Sequence, residues 1–197
     1  MKLYYSPGAC SLAQHIVARE ADLPVEIIKV DLKAKTAGGR NYYDINPMGA
    51  VPALELADGS VLTENAVLLQ YMAAQKPSAN LAPTGSDIEH WRFMELLNFI
   101  ATELHKGFSP LFKNPPPEWR EVVVGNINNR LGLLEKKLGD KPYLWGDHFT
   151  VADAYAFVIL NWAHKMKVDL TPKLETYFER MKARPGVQTA LKEEGLA

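Results

Sequence analysis

Apolar and polar positions follow two different periods along this chain of 197 residues. In the first third, short apolar runs are separated by turn residues. Further on, apolar positions recur at intervals of three and four. Leu3-Tyr4-Tyr5 reads as a strand ended by Ser6-Pro7-Gly8. Ala9-Cys10-Ser11 then enters a helix to about Ala21, on which Leu12, His15, Ile16 and Arg19 are helically spaced. Asp22-Leu23-Pro24 breaks it, and residues 25–30 form a strand rich in β-branched side chains. Strand, helix and strand make a βαβ unit whose crossover sets the two strands parallel. A polar segment with Gly38-Gly39 inside it follows, and Tyr42 and Tyr43 begin the approach to residues 46–65. There Val51 is biased to extended geometry by Pro52, which cannot donate to a sheet ladder. Residues 53–56 and 61–62 form a hairpin around Ala57-Asp58-Gly59-Ser60, and Thr63-Glu64-Asn65 opens a helix to Ala74.

Pro, Ser, Asn and Gly between Lys76 and Gly85 mark a linker, so the expected division is a domain over 1–76, a linker over 77–86 and a second domain over 87–197. The second domain carries no convincing strand pattern. Ser86-Asp87-Ile88-Glu89 is a capping box with Ser86 as N-cap, and its helix can run unbroken to Ser109. Val123, Ile127, Leu131, Leu134 and Leu138 form a helical stripe that ends at Gly139. Residues 150–164 are apolar nearly all round, the mark of a buried central helix, and shorter helices follow at 174–181 and 187–191. Thr150-Val151-Ala152-Asp153 is a second capping box, and here the structural reading prevails. Loss of that cap in Asp153→Ala is expected to cost about 1–2 kcal/mol.

Composition narrows the function. Hydrophobic residues make up 47%, charged residues 23%, and the net charge is −1, which argues against nucleic acid or an anionic membrane as the main partner. No apolar run approaches the ~20 residues of a membrane span, and Met1-Lys2-Leu3 leads into a strand rather than a signal peptide. The single cysteine, Cys10, excludes an internal disulfide and a CxxC pair, and fits a reducing compartment, with the cytoplasm as the default location. The histidine spacing fits no metal site.

Three places can carry chemistry. In the first turn of a helix, Cys10 would face unpaired N–H groups and the positive end of the dipole, which favours a thiolate, with Ser11 able to donate to sulfur. The competing reading is a small buried hydrophobe. Glu64 and Asn65 open their helix either as ordinary dipole partners or as holders of a ligand's ammonium and carboxylate. Lys35 is a carboxylate partner or, like Lys33, solvated surface charge. Glu95, Asn98, Thr102, His105 and Ser109 share a helix face. A solvent-facing stripe is the plainer reading, and a histidine that bonds a thiolate or moves a proton is the sharper one.

Together these residues resemble the bacterial beta-class glutathione S-transferases. The likeness runs through MKLYYSPGACSL, NPMGAVPALEL, LTEN, ELHKGFSPLF, GDHFTVADAYAF and EEGLA, in that order. It implies an α/β thioredoxin-like N-terminal domain followed by an all-α C-terminal domain, in a homodimer. Pro52 would follow a cis bond. Glutathione, as co-substrate and with no metal, would be held by Cys10, Lys35, Val51, Glu64 and Asn65, with Asn98 contributing from the partner subunit. His105 matches the family histidine near the sulfur, whereas Tyr5 resembles a tyrosine that this class largely does not use. Asn65 stands where many relatives carry serine or glycine. The implied activity is conjugation of the glutathione thiolate to small hydrophobic electrophiles, with thiol–disulfide exchange at Cys10 as a companion. Glutathione-dependent dehalogenation or disulfide reduction suits the same site. A non-catalytic binding or regulatory protein on this fold is the alternative of another class.

Overall fold

The computed structural model describes all residues, Met1–Ala197, in two compact units: Met1–Ala82 with Ala183–Ala197, and Pro83–Lys182. In the first unit, β1 (Lys2–Tyr5), α1 (Leu12–Glu20) and β2 (Glu26–Asp31) form the parallel βαβ element. β3 (Thr36–Ala37) and β4 (Arg40–Asn41) form a small hairpin where the sequence suggests only a polar segment. Strands of two residues are too short to alternate, so Gly38-Gly39 is their one signal. β5 (Ala53–Glu55) lies antiparallel to β1, pairing Leu3 with Leu54, and β6 (Val61–Leu62) completes the sheet in the order β4-β3-β2-β1-β5-β6. α2 (Asn65–Gln75) follows, beginning and ending one residue beyond its expected limits.

Tyr4, Val30, Ala37, Tyr42, Ile45 and Ala53 form the core of one sheet face. α1 is buried from Leu12 to Ala18 and packs against α2 and the chain's last helix. That last helix, α8 (Pro185–Glu193), corrects the expected boundary, because residues 183–197 belong to the first unit and not to the helical one. Arg184 donates to Glu20 through Nε at 3.1 Å and Nη2 at 2.7 Å. Gly186 allows the close approach: a Cβ there would lie 2.7 Å from Glu20 Cγ.

The second unit is helical. α3 (Ile88–Phe99) starts from Asp87, whose Oδ1 accepts the His90 N–H at 3.1 Å, so Asp87 and not Ser86 is the N-cap. A carboxylate there also meets the dipole, which a serine hydroxyl does less well. The helix does not continue unbroken. It passes into a π-helical segment, Ile100–His105, where the Lys106 N–H reaches back five residues to the Ala101 carbonyl. α4 (Lys106–Phe108) resumes the α geometry. In α5 (Pro117–Leu138) all five stripe residues are buried. α6 (Val151–Met166) is the central helix and α7 (Pro172–Lys182) packs on it.

The capping box at the start of α6 does more than close a helix. Asp153 is fully buried; its Oδ2 accepts the Thr150 N–H and hydroxyl, each at 2.8 Å, and its Oδ1 accepts the Leu144 N–H at 2.8 Å and the Tyr177 hydroxyl at 2.7 Å. Burial pushes the carboxyl up from the usual range, while these donors pull the other way. The residue therefore joins three parts of the unit: the loop at Leu144, the start of α6, and α7.

Candidate active site

The turn between β1 and α1 is closed on itself. The Ser6 N–H donates to Ser11 Oγ at 3.2 Å, and that hydroxyl lies 3.4 Å from the Ser6 carbonyl. Ser11 is fully buried and is the N-cap of α1 by position, with its side chain engaged by Ser6 instead of by the helix. Cys10 therefore sits just ahead of the helix and not in its first turn, because residues 6–11 close around the serine. Its Sγ donates to the Val51 carbonyl at 3.2 Å, and its own carbonyl accepts from Ala13 N–H and Asn65 Nδ2, at 3.2 and 3.0 Å. Cys10 as a residue is 9% exposed.

Three successive carbonyls are fixed by four side chains, one of them Cys10 itself. Lys35 Nζ donates to Gly49 at 2.7 Å, Tyr42 and Asn46 both donate to Ala50 at 2.8 and 2.7 Å, and Cys10 donates to Val51. Burial pushes the Tyr42 hydroxyl up to about 12, so it remains a donor at neutral pH. Gly49 is required here: its φ is +60°, and a Cβ would lie 2.8 Å from the Tyr43 ring and 3.3 Å from Lys35 Nζ. The Val51–Pro52 peptide is cis.

The start of α2 is strained and open. Glu64 occupies the N-cap position at φ 68°, ψ 118°, with an exposed side chain that makes no cap. A non-glycine residue held there costs about 1–3 kcal/mol, and such strain gathers at functional sites. Asn65 behaves otherwise. Its Nδ2 donates to the Cys10 carbonyl, while its Oδ1 and its carbonyl accept from Gln14 Nε2 at 2.6 and 3.0 Å. Its side chain thus ties the thiol turn to α1 and α2.

In the helical unit, the expected polar stripe divides. Glu95, Asn98 and Thr102 are exposed, and the Thr102 hydroxyl donates to the Asn98 carbonyl at 3.0 Å. His105 turns inward instead, its Nδ1 2.6 Å from the buried Tyr155 hydroxyl and its ring 5.0 Å, edge to face, from that of Trp162. The π segment causes the division, since its wider turn rotates every later residue relative to the α-helical spacing. Burial, aided by the neighbouring Lys106 charge, pushes His105 down to about 4, so the imidazole is neutral at pH 7.

The chain matches the glutathione S-transferase N-terminal domain over residues 9–75 and the glutathione S-transferase C-terminal domain over residues 99–185. It is 42% identical to glutathione S-transferase GstA of Escherichia coli O157:H7, over the whole of both chains. The chain belongs to the glutathione S-transferase family. Its structure matches that of the beta-class glutathione S-transferase of Sphingomonas chungbukensis at a TM-score of 0.95 and 43% identity, with both chains fully covered. A sphingomonad glutathione S-transferase solved with glutathione matches at 0.94 and 40%, again over all of both chains. This is a bacterial transferase of the beta class.

In this transferase, Cys10, Val51 and Asn65 meet through the contacts above, Lys35 reaches the Gly49 carbonyl two residues before Val51, and Ser11 and Glu64 adjoin Cys10 and Asn65 along the chain. Asn98 and His105 belong to the second unit. Sequence reasoning passed over Gln14, Tyr42 and Glu194. Gln14 lies among apolar positions on α1, where a single polar residue carries no pattern, and the tail's return to the first unit leaves no mark on periodicity. Tyr5 is buried, and its hydroxyl is pushed up by that burial and by the Glu194 and Glu193 carboxylates. No group of three or more His, Cys, Asp or Glu is placed to hold a metal ion, and no helix is long and apolar enough to cross a membrane.

Proposed function

We propose that this transferase binds glutathione along the 49–51 segment and conjugates its thiolate to small hydrophobic electrophiles. The row of carbonyls pinned at Gly49, Ala50 and Val51, with Lys35 at one end and Cys10 at the other, carries this reading. An extended tripeptide fits such an edge as an added strand. Lys35 takes the glycyl carboxylate, the Val51 backbone takes the cysteinyl part, and the exposed Glu64 carboxylate takes the γ-glutamyl ammonium. The N–H groups at the start of α2 take the γ-glutamyl carboxylate.

In the conjugation cycle the glutathione sulfur forms the new S–C bond and the leaving group departs with the bonding pair; Cys10 does not attack the electrophile. Ser11 holds the turn through Ser6. His105, neutral at pH 7, supplies a hydrogen bond or accepts a proton in this scheme. A homodimer to which the partner's Asn98 contributes, action in the cytoplasm, and a role in detoxification complete the proposal.

Thiol–disulfide exchange is the second reading, and the position of Cys10 Sγ against the Val51 carbonyl favours it, because a strand-like ligand there would bring its sulfur to Cys10. The Cys10 thiolate would attack one sulfur of glutathione disulfide, forming a mixed disulfide and releasing glutathione thiolate. Intact mass after incubation with glutathione disulfide tests the site. One thiol-reversible glutathionyl adduct is expected in the wild type and none in Cys10→Ala. A folded protein that resists modification but labels once unfolded would remove the exchange reading. Failure to conjugate glutathione to an activated aryl halide would remove the main one.

A further inference from the structure

The His105 imidazole is held by side chains of its own unit. α6 carries Tyr155 and Trp162 two turns apart on one face. Both rings meet the imidazole edge to face, with centres 5.8 and 5.0 Å away. Trp162 is held in the same manner by Phe108 at 6.2 Å and Phe112 at 5.0 Å. Tyr155 is fully buried, and its hydroxyl lies 2.6 Å from Nδ1. That separation falls below the usual range for an N–H donor and within that for an O–H donor. A ring turned over by half a revolution would set a carbon against the hydroxyl. The phenol therefore donates and Nδ1 accepts. A neutral imidazole has one N–H and one ring lone pair, so with the pair engaged at Nδ1 the proton sits on Nε2. Burial, aided by the Lys106 charge, keeps the ring neutral at pH 7.

We propose that Tyr155 is a positioning residue for His105: by donating to Nδ1 it occupies the lone pair that a base would use, and leaves the ring only its Nε2–H to offer. This rests on the reading of His105 as the histidine near the glutathione sulfur, and it decides between the two roles open to the residue there. His105 donates a hydrogen bond to the glutathione thiolate and does not take the thiol's proton, which leaves to water. A charge-assisted bond of this kind favours the thiolate over the thiol. Tyr155 acts through the imidazole and touches no reacting atom.

The test reads the ring nitrogens directly. NMR spectra are recorded at pH 7 on the full-length protein carrying nitrogen-15-labelled histidine, with His105 assigned as the signal missing from His105→Gln. The wild type is expected to show Nε2 protonated and Nδ1 bare, and in Tyr155→Phe the Nδ1 resonance should move downfield as its hydrogen bond is lost. A proton on Nδ1, or an Nδ1 resonance that Tyr155→Phe leaves in place, overturns the proposal. Titration of bound glutathione, followed by the ultraviolet absorbance of the thiolate, then reads the donor role. His105→Leu should raise the midpoint by about one pH unit. His105→Gln, whose amide still donates but takes no proton, should raise it by less than half as much. Equal rises in the two variants, or none, overturn the proposal whether or not Tyr155→Phe folds. If the wild type binds no glutathione, the glutathione reading falls and the donor role with it, while the nitrogen resonances still decide what Tyr155 does.

Discussion

The starts of α6 and α2 are both helix N-termini with an acid at hand, and they are finished in opposite ways. At α6 the acid is at the third helical position, fully buried, with both oxygens occupied by donors. At α2 the acid is at the N-cap, exposed, strained at positive φ, and caps nothing. A helix start saturated by its own chain can serve only the fold. One held in a disfavoured conformation, with no side-chain cap, is what the proposed glutathione site would use.

The largest effect belongs to the saturated end. Asp153→Ala removes the acceptor for donors from Thr150, Leu144 and Tyr177. Urea unfolding should register a loss of about 3–5 kcal/mol, beyond the 1–2 kcal/mol of a cap alone. A loss confined to the smaller range would mean that the Leu144 and Tyr177 bonds add nothing.

His105 contributes the next. Its folded pKa, about 4, lies below the ordinary 6.5, so the unfolded chain binds the proton more readily between those values. Its contribution to stability is full above pH 6.5 and is lost as the pH falls towards 4, by about 3 kcal/mol in all. His105→Gln should lack that portion of the pH dependence; matching curves for the two proteins would show that the imidazole is not held neutral.

At the open end, Glu64→Gly relieves the positive φ. Stability should rise by up to about 1 kcal/mol, while glutathione binding by calorimetry weakens. Lower stability would contradict the strain, and unchanged binding would contradict the role of the carboxylate. The smallest effect is expected at Thr102→Ala, on the exposed part of the divided stripe, where Tm should correspond to a change within about 0.5 kcal/mol.

Much of this was legible in residue order. The βαβ unit, the Pro52 hairpin, the five-residue stripe of α5 and the box at Thr150 follow from local periods and caps that act within a few residues. The divided stripe was not. A π segment is set by how α3 packs, and a helical wheel drawn at 3.6 residues per turn places His105 beside Thr102. Within the site, Cys10, Lys35 and Val51 were legible as types in a familiar order. The engagement of Ser11 with Ser6, and of Asn65 with Gln14, depends on which rotamers the packed turn admits. Residues 183–197 were assigned to the helical half because they are helical, and helicity does not say which neighbour a helix covers.

That return of the tail gives the chain an order of completion. The unit Pro83–Lys182 is continuous in sequence, so it can close as soon as its own residues have left the ribosome. The first unit is begun before the helical one but completed after it. Until residues 183–197 emerge, α1 lacks the helix that covers it, Glu20 lacks Arg184, and the Gly8 amide lacks Glu194. A nascent chain therefore carries Cys10 in an unanchored turn until residues 183–197 have been made.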